Sequence, residues 1–132
     1  MMETTSRGFP VLSFVEADGA ACSIQDSSLA ERDCIWLGRD GKDAVRMHLT
    51  TDMAADLIDL LEGGLVGETV FDDFYGSRCV IALEDGDGGC IRLGTTMDFE
   101  GNIQRPMRIS PELLDILVPL LSTFVETGSI RE

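Results

Sequence analysis

The thiol and imidazole side chains of this sequence, which could ligate a transition metal or act in nucleophilic catalysis, belong to four cysteines and one histidine. The cysteines form two pairs, Cys22 with Cys34 and Cys79 with Cys90, with 11 and 10 residues between the members of each pair. A zinc knuckle places only about two to four residues between its ligands, and His48 is the single imidazole. The spacing therefore favours small buried hydrophobic side chains on strands, although convergence of the four thiols on one metal ion stays open.

The sequence contains no complete motif for calcium binding or for catalysis. The segment EDGDGG (84–89) begins like a calcium loop with Asp85 and Asp87, but Gly89 and Thr96 stand where such a loop needs an oxygen ligand and a bidentate Glu. The same letters are typical of a hairpin turn. The sequence contains no nucleophile elbow, no glycine-rich phosphate loop and no HExxH motif. We predict a protein that is not an enzyme and that uses no catalytic residue, metal or cofactor.

Carboxylates are the side chains whose spacing indicates a binding surface. The chain has 24 Asp+Glu against 10 Lys+Arg, and its formal net charge is −14. Such a surface repels the phosphates of nucleic acids and anionic lipids and attracts basic proteins. Four acids recur at spacings of 4, 3 and 3, which places them on one stripe of a helix. The predicted partner-binding residues are Asp52, Asp56, Asp59, Glu62, Asp72, Asp73, Trp36 and Arg92. The alternative is a solvated acidic face that only keeps the protein soluble.

The sequence segments that must position these residues occur as two similar copies. Sliding the sequence along itself by 56 positions places CIWLG (34–38) on CIRLG (90–94). An offset of 57 aligns the preceding segments, and an offset of 60 places RMHLT (46–50) on PMRIS (106–110). We interpret the pattern as a duplication within a single domain spanning residues 1–132, a length that can bury a core without disulfides. Repeat 1 covers about residues 9–65 and repeat 2 about residues 67–128.

Each copy reads as four strands followed by a helix. The sequence predicts an α+β fold, in which the duplicated β-β-β-β-α unit forms an antiparallel sheet with both helices packed on one face, related by a pseudo-twofold axis. The polar segments DSSLAERD (26–33) and EDGDGG are predicted as turns. The terminal segments METTS (2–6) and GSIRE (128–132) are predicted to fray.

Capping signals define the helices. Thr50 or Thr51 is expected to cap the first helix, and Gly63 with Gly64 ends it. Ser110 is expected to cap the second helix. Pro111 follows Ser110 at the first helical position. Pro119 lies inside the second pattern, where it is expected to kink the helix or split off its last turn.

Trp36 and Arg92 occupy the same position in the two copies. Equivalent strand positions face the same side of the sheet, so that side cannot be equally buried in both repeats. A core tryptophan is the commoner case. The alternative is an interface, where Trp and Arg are both enriched.

The sequence shows neither an apolar targeting segment nor a run of 18 apolar residues. We therefore expect a cytoplasmic protein with no membrane contact and no direct nucleic-acid contact.

Three segments resemble a group of small uncharacterised proteins encoded by bacteriophages and prophages. These segments are CSIQDSSLA (22–30), IWLG (35–38) and MHLT (47–50), and they lie in the first repeat, while the second matches only in outline. An ending similar to the family's follows the second helix as FVETG (124–128). The resemblance implies a mobile-element origin, acting in the host cytoplasm, and no catalytic residues.

Charge and resemblance together predict an inhibitor that binds a host protein. The specific hypothesis is an antagonist of a host defence or nucleic-acid-handling complex, of the anti-CRISPR type, whose carboxylates occupy a basic groove. Two alternatives stay open. One is a structural module that associates with itself, as in a homodimer, through the face bearing Trp36 and Arg92. The other is a toxin-immunity protein or secretion chaperone, because such proteins are also small and acidic.

Overall fold

The described part of the chain consists of two successive sets of strands, each followed by a helix. The computed structural model describes residues 2–29, 31–41, 46–63, 65, 67–84, 89–96 and 106–131. The first set comprises β1 (Glu3–Thr4), β2 (Pro10–Val15), β3 (Ala21–Leu29), β4 (Arg32–Arg39), β5 (Met47–Thr50) and α1 (Thr51–Glu62). The second comprises β6 (Glu68–Asp72), β7 (Arg78–Leu83), β8 (Ile91–Thr95), β9 (Met107–Ile109) and α2 (Pro111–Thr127).

The strands form two antiparallel sheets, in the order β1-β2-β3-β4-β5 and β6-β7-β8-β9. The predicted α+β class is confirmed, and each repeat contributes one sheet and one helix. The equivalent strands pair in the same way, since Phe14 faces Cys22 in one hairpin and Phe71 faces Cys79 in the other. One difference stands out among the described residues: the edge of β2 is covered by β1, whereas β6 pairs with β7 alone.

Both helices begin where the capping signals place them. Thr50 accepts a hydrogen bond from the Met53 N–H at 3.4 Å, and Ser110 accepts one from the Leu113 N–H at 3.3 Å. The second helix ends at Gly128 in the left-handed region, with φ of 83°. It runs unbroken through Pro119, so of the two expected effects of this residue, a kink or a separate last turn, the separate last turn does not occur.

A single apolar core lies between the sheets and the helices. It contains fully buried side chains from both repeats, among them Ile24, Leu37, Ile81 and Phe124. On the strands, alternation points the side chains of Ile24, Leu37 and Ile81 to the same inner side, and Phe124 reaches the core from α2. Helix α1 packs against α2 and against β5, so its opposite face is left for solvent.

A reciprocal pair of backbone hydrogen bonds joins the repeats. The Phe74 N–H, in the turn after β6, donates to the His48 carbonyl in β5 at 2.8 Å. The Ala17 N–H, in the turn after β2, donates to the Arg108 carbonyl in β9 at 2.9 Å. Donors and acceptors occupy equivalent positions, as a pseudo-twofold arrangement requires. Because the last strand of each repeat meets a turn of the other, two sheets form instead of one continuous sheet.

The segment predicted as a polar turn at 26–33 is mostly strand. β3 continues to Leu29, β4 begins at Arg32, and Glu31 at the reversal has a positive φ of 65°. The cause lies far along the chain. The carboxylate of Asp26 is buried because it accepts hydrogen bonds from the Ile130 N–H at 2.8 Å and from the Ser129 hydroxyl.

The same contacts overturn the prediction that the terminal segments fray. The Ile130 side chain is fully buried in the core. At the other end of the chain, Glu3 and Thr4 form β1 and pair with Val11 and Pro10. The turn predicted at EDGDGG falls partly outside the described residues, since 85–88 are not described, but the Glu84 N–H donates to the Cys90 carbonyl at 3.0 Å across its ends.

Candidate partner-binding surface

The acidic stripe on α1 lies on the solvent-facing side of that helix. Asp52, Asp56, Asp59 and Glu62 are all exposed, while Leu57 on the opposite side is buried in the core. Ion pairs among the described residues engage five arginines with other acids and none with this stripe. The four carboxylates therefore present charge that the described part of the chain does not neutralise.

A small slot lies between this stripe and Asp72, another of the predicted partner-binding acids. Its volume is about 120 Å³, and it lies between α1 and the edge strand β6. The side chains of Met53, Leu60 and Phe71 supply apolar lining, and Asp56 and Asp72 line it as well. Two acids that are distant in sequence thus border one apolar depression.

Asp73, unlike Asp72, is withdrawn from the surface. It is only 4% exposed, and its carboxylate accepts hydrogen bonds from the N–H groups of Tyr75 and Ser77, both at 2.9 Å, and of His48 at 3.0 Å. Burial alone would raise the pKa of Asp73, but the His48 side chain and these N–H groups lower it below its usual value. Asp73 therefore holds the junction between the repeats, and the predicted partner contact at this position is corrected.

Glu16 holds the equivalent place in the other repeat. It is 3% exposed and pairs with Arg39 at 2.5 Å, and Arg39 also donates to the Pro106 carbonyl at 3.3 Å. A signal for this pair was present in the sequence, because each copy places an acid three residues before the glycine of its first turn, Gly19 or Gly76.

Trp36 lies on the outer face of the first sheet, half-buried, and is not a core residue. It stands opposite Gln25 on β3 and His48 on β5. Its ring meets that of His48 edge to face at 5.5 Å, and His48 meets Tyr75 at 4.7 Å. Tyr75 is 58% exposed, so this group of aromatic rings reaches solvent.

Arg92 occupies the same place in the second sheet, where charged pairs replace the rings. It stands opposite Ala82 and Arg108. Arg92 pairs with Glu68 at 3.1 Å, and Arg108 pairs with Glu84 at 2.8 Å. Two arginines that would repel one another are thereby each matched to an acid, and Arg92 is engaged within the chain.

Beside Trp36, the outer face carries an open cavity of about 520 Å³. Its wall on one side is formed by residues of the chain at 5–9, and on the other side by the second half of β3 and by Trp36 in the middle of β4. The indole Nε1 of Trp36 is buried and has no acceptor in the part of the chain that the structure describes.

All four cysteines are buried and form no disulfide. Cys22 and Cys79 belong to the core, and burial raises the pKa of their thiols to about 11 and about 12. Among the described residues, no three His, Cys, Asp or Glu side chains are grouped as a metal ion would need. No described helix is long and apolar enough to cross a membrane.

Comparison with protein-family models finds no match, and comparisons with curated proteins and with solved structures find none either.

Proposed function

We propose that this protein is a non-enzymatic, acidic module that binds a basic surface on another protein. The observation that carries the proposal is the α1 stripe, whose exposed carboxylates have no cationic partner among the described residues. Like charges three and four residues apart destabilise a helix slightly. A partner's cations would remove that repulsion on binding.

The slot between α1 and β6 gives this surface a shape as well as a charge. Lysine and arginine bury their aliphatic stems against apolar groups while the charged head stays near an anion. The apolar lining from Met53, Leu60 and Phe71 suits the stem, and Asp56 and Asp72 suit the head. Charge matching of this kind accelerates encounter and selects against acidic partners.

The biological setting remains part of the proposal. We infer a protein of bacteriophage or mobile-element origin that acts in the host cytoplasm and inhibits a nucleic-acid-handling or defence complex of the anti-CRISPR type. A groove built to hold phosphates is basic, so the carboxylates of Asp52, Asp56 and Asp59 would compete with the nucleic acid for it.

A matched pair of variants tests the proposal. Asp52→Asn/Asp56→Asn/Asp59→Asn removes three charges from α1, and Glu112→Gln/Asp115→Asn/Glu126→Gln removes three exposed charges from α2. Each set includes one acid from the first turn of its helix. Proteins captured from a bacterial lysate by the wild-type chain are identified, purified and titrated with all three forms.

We expect the α1 variant to bind about 3- to 100-fold more weakly, because exposed charge pairs contribute about 0.2–1 kcal/mol each and three are removed. The α2 variant should bind nearly as the wild type does, and high salt should weaken the wild-type complex. Equal losses in both variants, or binding that salt does not affect, would contradict the proposal.

Self-association is the second candidate, and the exposed aromatic group around Trp36 favours it. Tyr75 is 58% exposed and meets the His48 ring edge to face, so an apolar contact between two copies could form there. A homodimer in sedimentation that persists at high salt and is lost in Tyr75→Ser would support this function. A monomer at all concentrations would exclude it.

A further inference from the structure

The cavity beside Trp36 is not explained by an acidic binding surface, since no acid lines it among the described residues. Its volume of about 520 Å³ lies within the range of small-molecule sites, about 300–1,000 Å³. The lining residues that matter for the argument are Arg7, Phe9, Gln25, Ser27, Ser28 and Trp36.

Two of the three segments singled out in the sequence meet in this cavity, and the third lies next to it. Gln25, Ser27 and Ser28 come from CSIQDSSLA, and Trp36 comes from IWLG. His48 of MHLT supports the Trp36 ring from the side. None of these polar side chains is part of the core, so the core does not account for their convergence.

Apart from the Thr5 hydroxyl, which accepts a hydrogen bond from the Phe9 N–H at 3.1 Å, the polar side chains of the lining have no other engagement within the described part of the chain. The Gln25 side-chain amide and the hydroxyls of Ser27 and Ser28 form no hydrogen bond with a described residue. The guanidinium of Arg7 forms no ion pair with a described residue. Donors and acceptors therefore stand together beside two aromatic rings, Phe9 and Trp36.

This combination defines the chemistry of a ligand. A cation would find no carboxylate in the described lining, and the net charge of −14 opposes the attraction that the one lining cation, Arg7, exerts on a free anion. An amide and hydroxyls each both donate and accept hydrogen bonds, as the hydroxyls of a sugar do. We propose that the cavity binds an uncharged carbohydrate of one or two rings, with its hydroxyls on Gln25 and Ser27 and its apolar ring face on Trp36.

The second repeat shows what the same position is like without such a site. There Ala82, Glu84 and Arg92 replace Gln25, Ser27 and Trp36. Ion pairs engage Glu84 and Arg92, so no neutral polar groups are left for a ligand. The carbohydrate site is thus a property of the first repeat alone, and it is independent of the acidic stripe on α1.

Trp36 is the only tryptophan, so its fluorescence reports directly on the site. The full chain is titrated with glucose, galactose, mannose, N-acetylglucosamine, maltose, lactose and cellobiose, and each mixture is also examined by saturation-transfer NMR. Inorganic phosphate and sulfate form a separate arm. We expect saturable binding of at least one sugar and no response to either anion.

Gln25→Ala and Ser27→Ala should each weaken that binding about tenfold, the equivalent of one lost hydrogen bond of about 1.4 kcal/mol. Ser13→Ala, an exposed serine on β2, is the matched control and should bind as the wild type does. Binding of no sugar by either method, equal binding by all variants, or a response to phosphate or sulfate would each overturn the proposal.

Discussion

The junction between the repeats uses one buried carboxylate from each copy, and removing the charge of Asp73 gives the sharpest test of the fold. Asp73→Asn keeps the shape of the side chain and removes its charge. In the wild type the carboxylate accepts three backbone hydrogen bonds, from His48, Tyr75 and Ser77. The first of these comes from the other repeat, so the substitution weakens both the turn and the contact between sheets.

The magnitude follows from these three bonds. A hydrogen bond to a charged group contributes about 1.5–3 kcal/mol, against about 0.5–1.5 kcal/mol for a neutral one. Loss of charge therefore costs about 1 kcal/mol per bond, or about 3 kcal/mol in all. The exposed neighbour Asp72 pairs with Arg78 only at 3.7 Å, so Asp72→Asn should change stability by less than about 0.5 kcal/mol.

Urea unfolding followed by Trp36 fluorescence and circular dichroism measures both variants. The dependence on pH gives a second readout. Folding lowers the pKa of Asp73, so its contribution is complete above the pKa of the unfolded carboxyl and is lost as the pH falls through the folded pKa. Asp73→Asn should flatten this acid limb of the stability curve. An Asp73→Asn protein within about 0.5 kcal/mol of wild type would refute the reasoning.

Two further predictions concern buried groups. Iodoacetamide at pH 8 should modify Cys22 and Cys79 at least about 100-fold more slowly in the folded protein than in guanidinium. The reason is that pKa values of about 11 and about 12 leave little thiolate. Equal rates in the two conditions would show that the thiols are accessible. Ile130→Ala should destabilise the protein by about 2–5 kcal/mol in urea unfolding, while Arg131→Ala, exposed, should be nearly neutral. No loss in Ile130→Ala would mean that the terminal segment is not packed in solution.

Local patterns were enough to predict the helices and most strands. Caps act over three or four residues, so Thr50 and Ser110 could be identified from their neighbours alone, and the structure places both at helix starts. The duplication predicted equivalent hairpins for the same reason, since β-hairpins depend on short-range alternation and turn residues.

Contacts between distant residues account for what the sequence did not reveal. Asp26 meets Ile130 across 104 positions, and nothing near Asp26 indicates that its charge is satisfied there. The same holds for Asp73, which bonds to His48 across 25 positions and so becomes internal. Asp56 and Asp72 border one slot only because α1 lies beside β6.

The duplication explains why the features that point to binding are concentrated in one half. Both repeats need their inward faces for the common core, and each needs one buried acid for the junction. The outward faces are under no such constraint. In the second repeat Arg92 and Arg108 engage Glu68 and Glu84, which leaves a closed, charge-matched surface.

In the first repeat the equivalent row consists of Val11, Gln25, Trp36 and His48, which contains no acid to match and no ion pair within itself. The helix that follows carries the unneutralised acidic stripe. A chain selected only for solubility would be expected to distribute these features over both copies. Exposed acids without an ion pair to a described residue also occur on α2, among them Glu112 and Asp115. Of the two helices, only α1 places four such acids on one stripe beside an apolar slot, at the border with β6. This difference between the copies supports the proposal that the first repeat meets partners.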